Sequence, residues 1–210
     1  MTNKTTGRKV YSMVRVIKKQ INREKLLDQG VAMLTAQGYH GTGLKEILDA
    51  VQIPKGSFYN YFGSKEVFCA EVVQHYIDPF IVQLKKHLQN PNVDGLTALK
   101  NYFNELIFEL EANEFKGGCL LGNLMGELGD NSEICRKALQ KAVNQYQDLI
   151  KDGLLRGQQE GLVRTDLSAE MMADLLVNTW QGVLLRMKIE KSIAPLQSCC
   201  DSLLDGYFKS

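Results

Sequence analysis

Apolar residues recur at three- and four-residue spacing along almost the whole chain, and no stretch reads as a convincing strand. A first helix is expected from Asn22 to Gln37, with Leu27, Val31 and Leu34 inward and Gly38 as its stop. Leu44, Ile47, Leu48 and Val51 then mark a short helix. Gln52 and Ile53 make a bend, and Pro54 opens another short helix whose Phe58 and Phe62 share one face. Ser64 caps a longer helix through Val67, Phe68 and Val72, which Pro79 is expected to kink or break. Beyond the Asn90-Pro91-Asn92 loop, Leu96, Leu99, Phe103, Leu106 and Leu110 form a strongly amphipathic helix. A short apolar helix follows from Cys119 to Leu128. A long one opens at Ser132 and runs through Leu139, Val143, Tyr146, Ile150 and Leu154 to near Gly161. Asp166 or Ser168 caps the next helix, which carries Met172, Leu175, Leu176, Thr179, Trp180, Val183 and Met187. The last shows Leu196, Cys200, Leu203, Leu204, Tyr207 and Phe208. The chain reads as all-α, without internal repeats.

The two short helices around the bend carry the candidate chemistry. With Phe58 and Phe62 turned inward, Lys55, Ser57, Tyr59 and Asn60 form the remaining face of a short helix. A cation suits phosphates or guanine, and hydroxyls and an amide suit base edges, so this helix is shaped for a major groove. Charge changes the picture further. The net value of +1 would argue against nucleic acid, but residues 1–70 hold eleven Lys/Arg against five Asp/Glu, a net of +6. Residues 71–210 hold fourteen against nineteen, a net of −5. A basic front and an acidic back fit a DNA-facing unit joined to one with another task.

The run from Gly38 through Glu66, above all GSFYNYFGSKE, resembles the DNA-binding motif of the TetR family of bacterial transcriptional regulators. Tyr39, Thr42, Ile47, Gly56, Phe58, Tyr59, Tyr61, Phe62, Ser64, Lys65 and Glu66 meet its pattern. Gly43 stands where Ser or Thr often contacts phosphate, and Val51-Gln52 replace the usual Ala-Gly of the bend. The resemblance implies an N-terminal three-helix helix-turn-helix domain plus a larger helical-bundle regulatory and dimerisation domain. The expected boundaries are a basic N-terminal extension at 1–20, the DNA-binding domain at 21–66, and the ligand-sensing and dimerisation domain at 67–210. Lys55, Ser57 and Tyr59 are expected to face bases or nearby phosphates, with Gly56 and Asn60 on the same short helix. Thr42, Tyr61 and Lys65 are expected to hold phosphates, and Lys45 to reach the groove. The implied partners are a palindromic double-stranded DNA operator, a second copy of the chain, and a small-molecule inducer whose identity the sequence does not give.

Residues 1–20 carry Lys4, Arg8, Lys9, Arg15, Lys18 and Lys19 and no acid. They read as a solvated tail, as residues ahead of a start at Met13, or as an arm gripping phosphates or the minor groove. No apolar run reaches the length of a membrane span and no signal peptide is visible, so no membrane partner is expected. The expected location is the bacterial cytoplasm, in association with the nucleoid.

Catalysis finds no support. His40, His75 and His87 are scattered, and none has a partner at ligand or triad spacing, so neither a metal nor a cofactor is expected and the chain is not read as an enzyme. The five cysteines lack metal spacing and read as free thiols. Residues 118–128, GCLLGNLMGEL, resemble a subset of TetR-type regulatory domains, the N-ethylmaleimide-responsive repressors among them. Cys119 follows Gly117-Gly118, opens a helix and lies near Lys116, surroundings that stabilise a thiolate; the other reading is a buried thiol that fills space. An inducer cavity is expected at Phe103, Ile107, Leu121, Met125 and Tyr146. A subunit seam is expected from 168–189 and 195–208, with Leu176, Trp180, Val183, Leu204 and Tyr207 in it. The main reading is a dimeric repressor released by a small ligand or a thiol-reactive electrophile. The alternatives are a helical sensor or interaction protein with a non-DNA partner, and an activator on the same fold.

Overall fold

The computed structural model describes residues 4–115 and 118–210, with side chains described from Val16 onward. Among these residues nine α-helices follow one another: α1 Lys4–Gly41, α2 Leu44–Val51, α3 Lys55–Phe62, α4 Lys65–Leu88, α5 Gly95–Ala112, α6 Leu120–Leu128, α7 Glu133–Gln159, α8 Ala169–Glu190 and α9 Ala194–Ser202. A π-helical turn, Leu203–Tyr207, closes the chain, and an isolated bridge pairs Val163 with Lys209.

Helix ends follow local chemistry. The hydroxyls of Ser64, Ser132 and Ser168 accept from Val67, Cys135 and Met171 N–H, and Asp94 accepts from Thr97 N–H at 2.7 Å, so four helices start on side-chain caps. Gly38 breaks the helical path as expected, with φ 73° and ψ −179°. Two expectations are corrected. The first helix does not start at Asn22 but continues back to Lys4, because no Gly or Pro interrupts residues 8–29. The side chains of Lys4, Arg8, Lys9 and Arg15 lie outside the described residues. Nor does Pro79 break α4, which runs on to Leu88. Close packing against α7, α1 and α5 holds the helix across the hydrogen bond that proline cannot donate.

Two apolar clusters fill the interior. One joins α1, α2 and α3 to the first half of α4, to α6 and to the start of α7, through Ile47, Phe58, Phe68, Leu120, Leu124 and Cys135. The other lies between the end of α4 and α5, α7, α8 and α9, around Phe103, Ile150, Leu176 and Trp180. Helix α6 therefore packs against α1 and the first half of α4, although it comes late in the chain. At the far end the backbones of α5 and α7 touch: a Cβ on Gly95 would lie 2.4 Å from the carbonyl oxygen of Gly153.

Candidate nucleic-acid interface and ligand cavity

Helix α3 is held by its aromatic side. Phe58 and Phe62 are buried, their rings 5.2 Å apart and 5.2 and 4.9 Å from Phe68. That anchoring leaves Lys55, Gly56, Tyr59 and Asn60 exposed on the outer face, with Ser57 and Tyr61 half-buried beside them. Nothing lies within 4 Å of where a Cβ on Gly56 would be, so the backbone of α3 is open to close approach from outside. Lys45 on α2 is almost fully exposed and pairs with Asp49 at 3.1 Å.

Two of the residues expected at phosphates make hydrogen bonds within the chain. Thr42 is 1% exposed, and its hydroxyl donates to Gly38 O at 2.6 Å and lies 3.3 Å from Met33 O. Its one proton is spent inside the fold, so its side chain has none to give a phosphate. Lys65 reaches inward: Nζ donates to Tyr39 O at 2.7 Å and sits 4.1 Å from the centre of the Tyr39 ring. Lys19, one of the basic residues of the 1–20 stretch, has its ammonium 5.9 Å from the Tyr61 ring and so extends the basic surface beside α3.

Behind this surface lies a cavity of about 840 Å³, a size common for ligand sites. Val31 and Thr35 of α1 line it, as do Tyr76 and Phe80 of α4, Leu106 and Leu110 of α5, and Trp180 and Gln181 of α8. Of the expected lining residues, Cys119, Leu121 and Tyr146 are present. Phe103 and Ile107 are instead packed into the core, and Met125 stands outward on α6. The walls are mainly apolar with a few phenols. Burial pushes the Tyr76 and Tyr146 hydroxyls well above the usual tyrosine range, so both stay protonated and can donate. Thr35 is among the lining residues, and its Oγ1 is buried without a hydrogen-bond partner among the described residues. Cys119 occupies the N-cap position of α6, and the Gln181 amide donates to its sulfur at 3.2 Å. Lys116, expected beside it, lies outside the described residues. Among the described residues no group of three or more His, Cys, Asp or Glu is placed to hold a metal ion.

Of the residues expected in the subunit seam, several face inward. Leu176, Trp180 and Leu204 are buried within the single chain, Trp180 with its ring 4.7 Å from Phe103, and Val183 is half-buried against the same cluster. Tyr207 is exposed, under the guanidinium of Arg164 at 4.8 Å. The outward face of α8 carries other apolar residues: Met171, Leu175, Leu185 and Ile189, the last 83% exposed. With Asn178 and Gly182 between them, they form one stripe at steps of three and four. No helix among the described residues is long and apolar enough to cross a membrane.

Comparison with known proteins agrees with this geometry. Residues 26–72 match the family described as bacterial regulatory proteins, tetR family, and residues 95–203 match the tetracyclin repressor-like C-terminal domain. The chain is 35% identical over 174 residues to the HTH-type transcriptional repressor DhaR of Mycobacterium sp. (strain GP1), covering 83% of this chain and 86% of that one. It is 29% identical over 176 residues to the HTH-type transcriptional repressor NemR of Escherichia coli (strain K12), covering 84% and 88%. Among solved structures, a regulatory protein TetR from Rhodobacter sphaeroides superposes with a TM-score of 0.80 at 28% identity, over 87% of this chain and 96% of that one. The reduced form of E. coli NemR superposes with a TM-score of 0.79 at 27% identity, over 90% and 97%.

Proposed function

Because the chain belongs to the TetR family of DNA-binding transcriptional regulators, we propose that it is a repressor that binds a palindromic operator as a homodimer and leaves it when the cavity is filled. In this reading residues 21–66 read the DNA and residues 67–210 sense the ligand and dimerise, in the cytoplasm and on the nucleoid. The observation that carries it is the division of α3: two phenylalanines pin it from inside, and Lys55, Tyr59 and Asn60 are left free on an open outer face. A single helix of this length makes too few base contacts for tight specific binding, so two copies are needed about 34–36 Å apart, or a multiple of that. The exposed stripe of α8 supplies the seam, since a face this apolar is stabilised by covering it with its own copy.

The ligand is an inducer that is largely apolar, to match the walls, with a hydrogen-bond acceptor for the Tyr76 and Tyr146 hydroxyls. A thiol-reactive electrophile is the second route to the same state, because Cys119 opens onto the cavity while the other four cysteines are buried. Selection of duplexes from a random pool by the purified protein tests the reading. The expected product is an inverted repeat bound by a dimer, lost when Tyr59 and Lys55 are replaced by Ala. Recovery of no enriched sequence rejects it.

A further inference from the structure

Glu127 sits in the last turn of α6, and its carboxylate reaches the turn that joins α1 to α2. Because Gly38 leaves the helical path, the N–H groups of Tyr39 and His40 lose the carbonyls that an unbroken helix would offer them. One side chain takes both. Tyr39 N–H lies 3.1 and 3.0 Å from the two carboxylate oxygens, and His40 N–H lies 3.0 Å from one of them. The fit leaves no space at Gly38, where a Cβ would stand 2.2 Å from Glu127 Oε1 on a backbone already at φ 73°. The carbonyls of the same turn are held from elsewhere, Gly38 O by Thr42 just ahead of α2 and Tyr39 O by Lys65 at the start of α4. Glu127 is thus the hold that α6 has on this turn.

The other end of α6 belongs to the cavity. Cys119 at its N-cap position and Leu121 in its first turn both line the space, about 12 Å along the axis from the last turn. A helix of nine residues moves as one piece, so a group that pushes on Leu121 or Cys119 carries Glu127 with it. We infer that Glu127 is a positioning residue for DNA binding: α6 sets the α1–α2 turn through this carboxylate, and the contents of the cavity reach α2 and α3 by the same bond. The inference rests on the proposed role of the cavity as the ligand site.

The test compares full-length wild type, E127Q and E127A, each untreated and treated with N-ethylmaleimide as the cavity probe. The thiolate of Cys119 adds across the maleimide double bond, and water protonates the adjacent carbon. Gln keeps the size of Glu but has one acceptor oxygen where the carboxylate has two, and its NH2 faces the Tyr39 N–H in place of Oε1, so both variants should loosen the hold, E127A the more. Amide exchange at Tyr39 and His40 should quicken by about tenfold or more in both variants, and in alkylated wild type. Affinity for the duplex selected by wild type should fall by about tenfold in both variants, at an unchanged salt slope because no phosphate contact is lost. Alkylation should weaken wild-type binding by about tenfold or more and the variants by about twofold or less. Wild-type exchange at the two amides in E127A, or a wild-type response of both variants to the maleimide, overturns this inference alone. A wild type that selects no duplex, or that carries the Cys119 adduct and still binds its duplex as before, overturns the proposed function and this inference with it.

Discussion

The ammonium of Lys65 lies 2.7 Å from the carbonyl oxygen of Tyr39 and 4.1 Å from the centre of the Tyr39 ring. One lysine at the start of α4 therefore fixes both the backbone and the side chain of the turn after α1. Burial pushes the Tyr39 phenol up to about 12, so the ring stays neutral at any pH where the protein would be studied.

Lys65 is expected to act by placing the turn and not by gripping DNA. Desolvation pulls its ammonium below the usual lysine range, so burying the charge offsets part of what the bond to Tyr39 O contributes. Lys65→Met should change unfolding stability by no more than about 1 kcal/mol, because a desolvated cation is replaced by an apolar group of similar length. Operator affinity should fall while its salt slope stays the same. A slope lower by about one would return Lys65 to the phosphate contacts.

Asp94 gives a pH-dependent expectation. Burial alone would raise its pKa, but hydrogen bonds from the Thr97 hydroxyl and from backbone amides outweigh that and leave it lowered. A carboxylate depressed on folding stabilises the protein above its unfolded value of 3.8 and loses that contribution as pH falls through its folded value. Asp94→Ala should cost about 1 kcal/mol at neutral pH, a usual figure for a lost N-cap. In urea titrations at several pH values the gap to wild type should narrow below 3.8. A constant gap would place the loss in packing instead of the charge.

Gln52 stands at φ 56° and ψ 41° at the C-cap of α2, where the family pattern favours Gly. A side chain there carries a left-handed strain of about 1 kcal/mol, partly offset by the greater freedom glycine has when unfolded. Gln52→Gly should raise the melting temperature slightly and leave DNA affinity unchanged. A lower melting temperature would mean that the Gln52 side chain makes compensating contacts.

Much of this fold is written in local signals. Phe58 and Phe62 turn inward because their spacing allows no other shared face, and Ser64, Ser132 and Ser168 cap helices as their hydroxyls suit them to do. The inward bonds of Thr42 and Lys65 have no local sign, because a hydroxyl or an ammonium can face DNA or a backbone carbonyl equally well. Only the path of the chain after Gly38 decides between them. Helix α8 defeats periodicity for another reason: it is apolar on two sides, so spacing cannot tell the face around Leu176 from the face around Leu185. The cavity draws on Val31 of α1 and Gln181 of α8, a pairing that no local pattern announces. Glu127 gave no local sign either, as its partners are about ninety residues earlier in the chain.

The two faces of α8 should respond differently to charge. Leu185→Glu and Ile189→Glu place a carboxylate on the exposed stripe, so each should fold normally, sediment as a monomer and lose operator binding. Leu176→Glu buries the charge inside one chain and should unfold it, since an unpaired buried charge costs several kcal/mol, about 3–5 where a partner is missing. A dimer that survives both Leu185→Glu and Ile189→Glu would move the seam off this stripe.

Trp180 is the one tryptophan of the chain, and it lines the cavity with its ring 4.7 Å from Phe103. Its emission therefore reports what the cavity holds. Cys119 opens onto the same space, while Cys69, Cys135, Cys199 and Cys200 are buried, so limited N-ethylmaleimide should modify Cys119 first. The adduct adds bulk beside Gln181, which donates to the Cys119 sulfur at 3.2 Å and is the residue next to Trp180. Tryptophan emission, adduct mass and operator release should then change together, at one adduct per chain. Cys119→Ser should keep its operator through the same treatment, yet still release it to a reversible apolar ligand that shifts Trp180 emission. Release from Cys119→Ser at the wild-type rate would assign the effect to another thiol. Labelling of Cys119 with emission and operator binding both unchanged would mean that filling this cavity is not the signal.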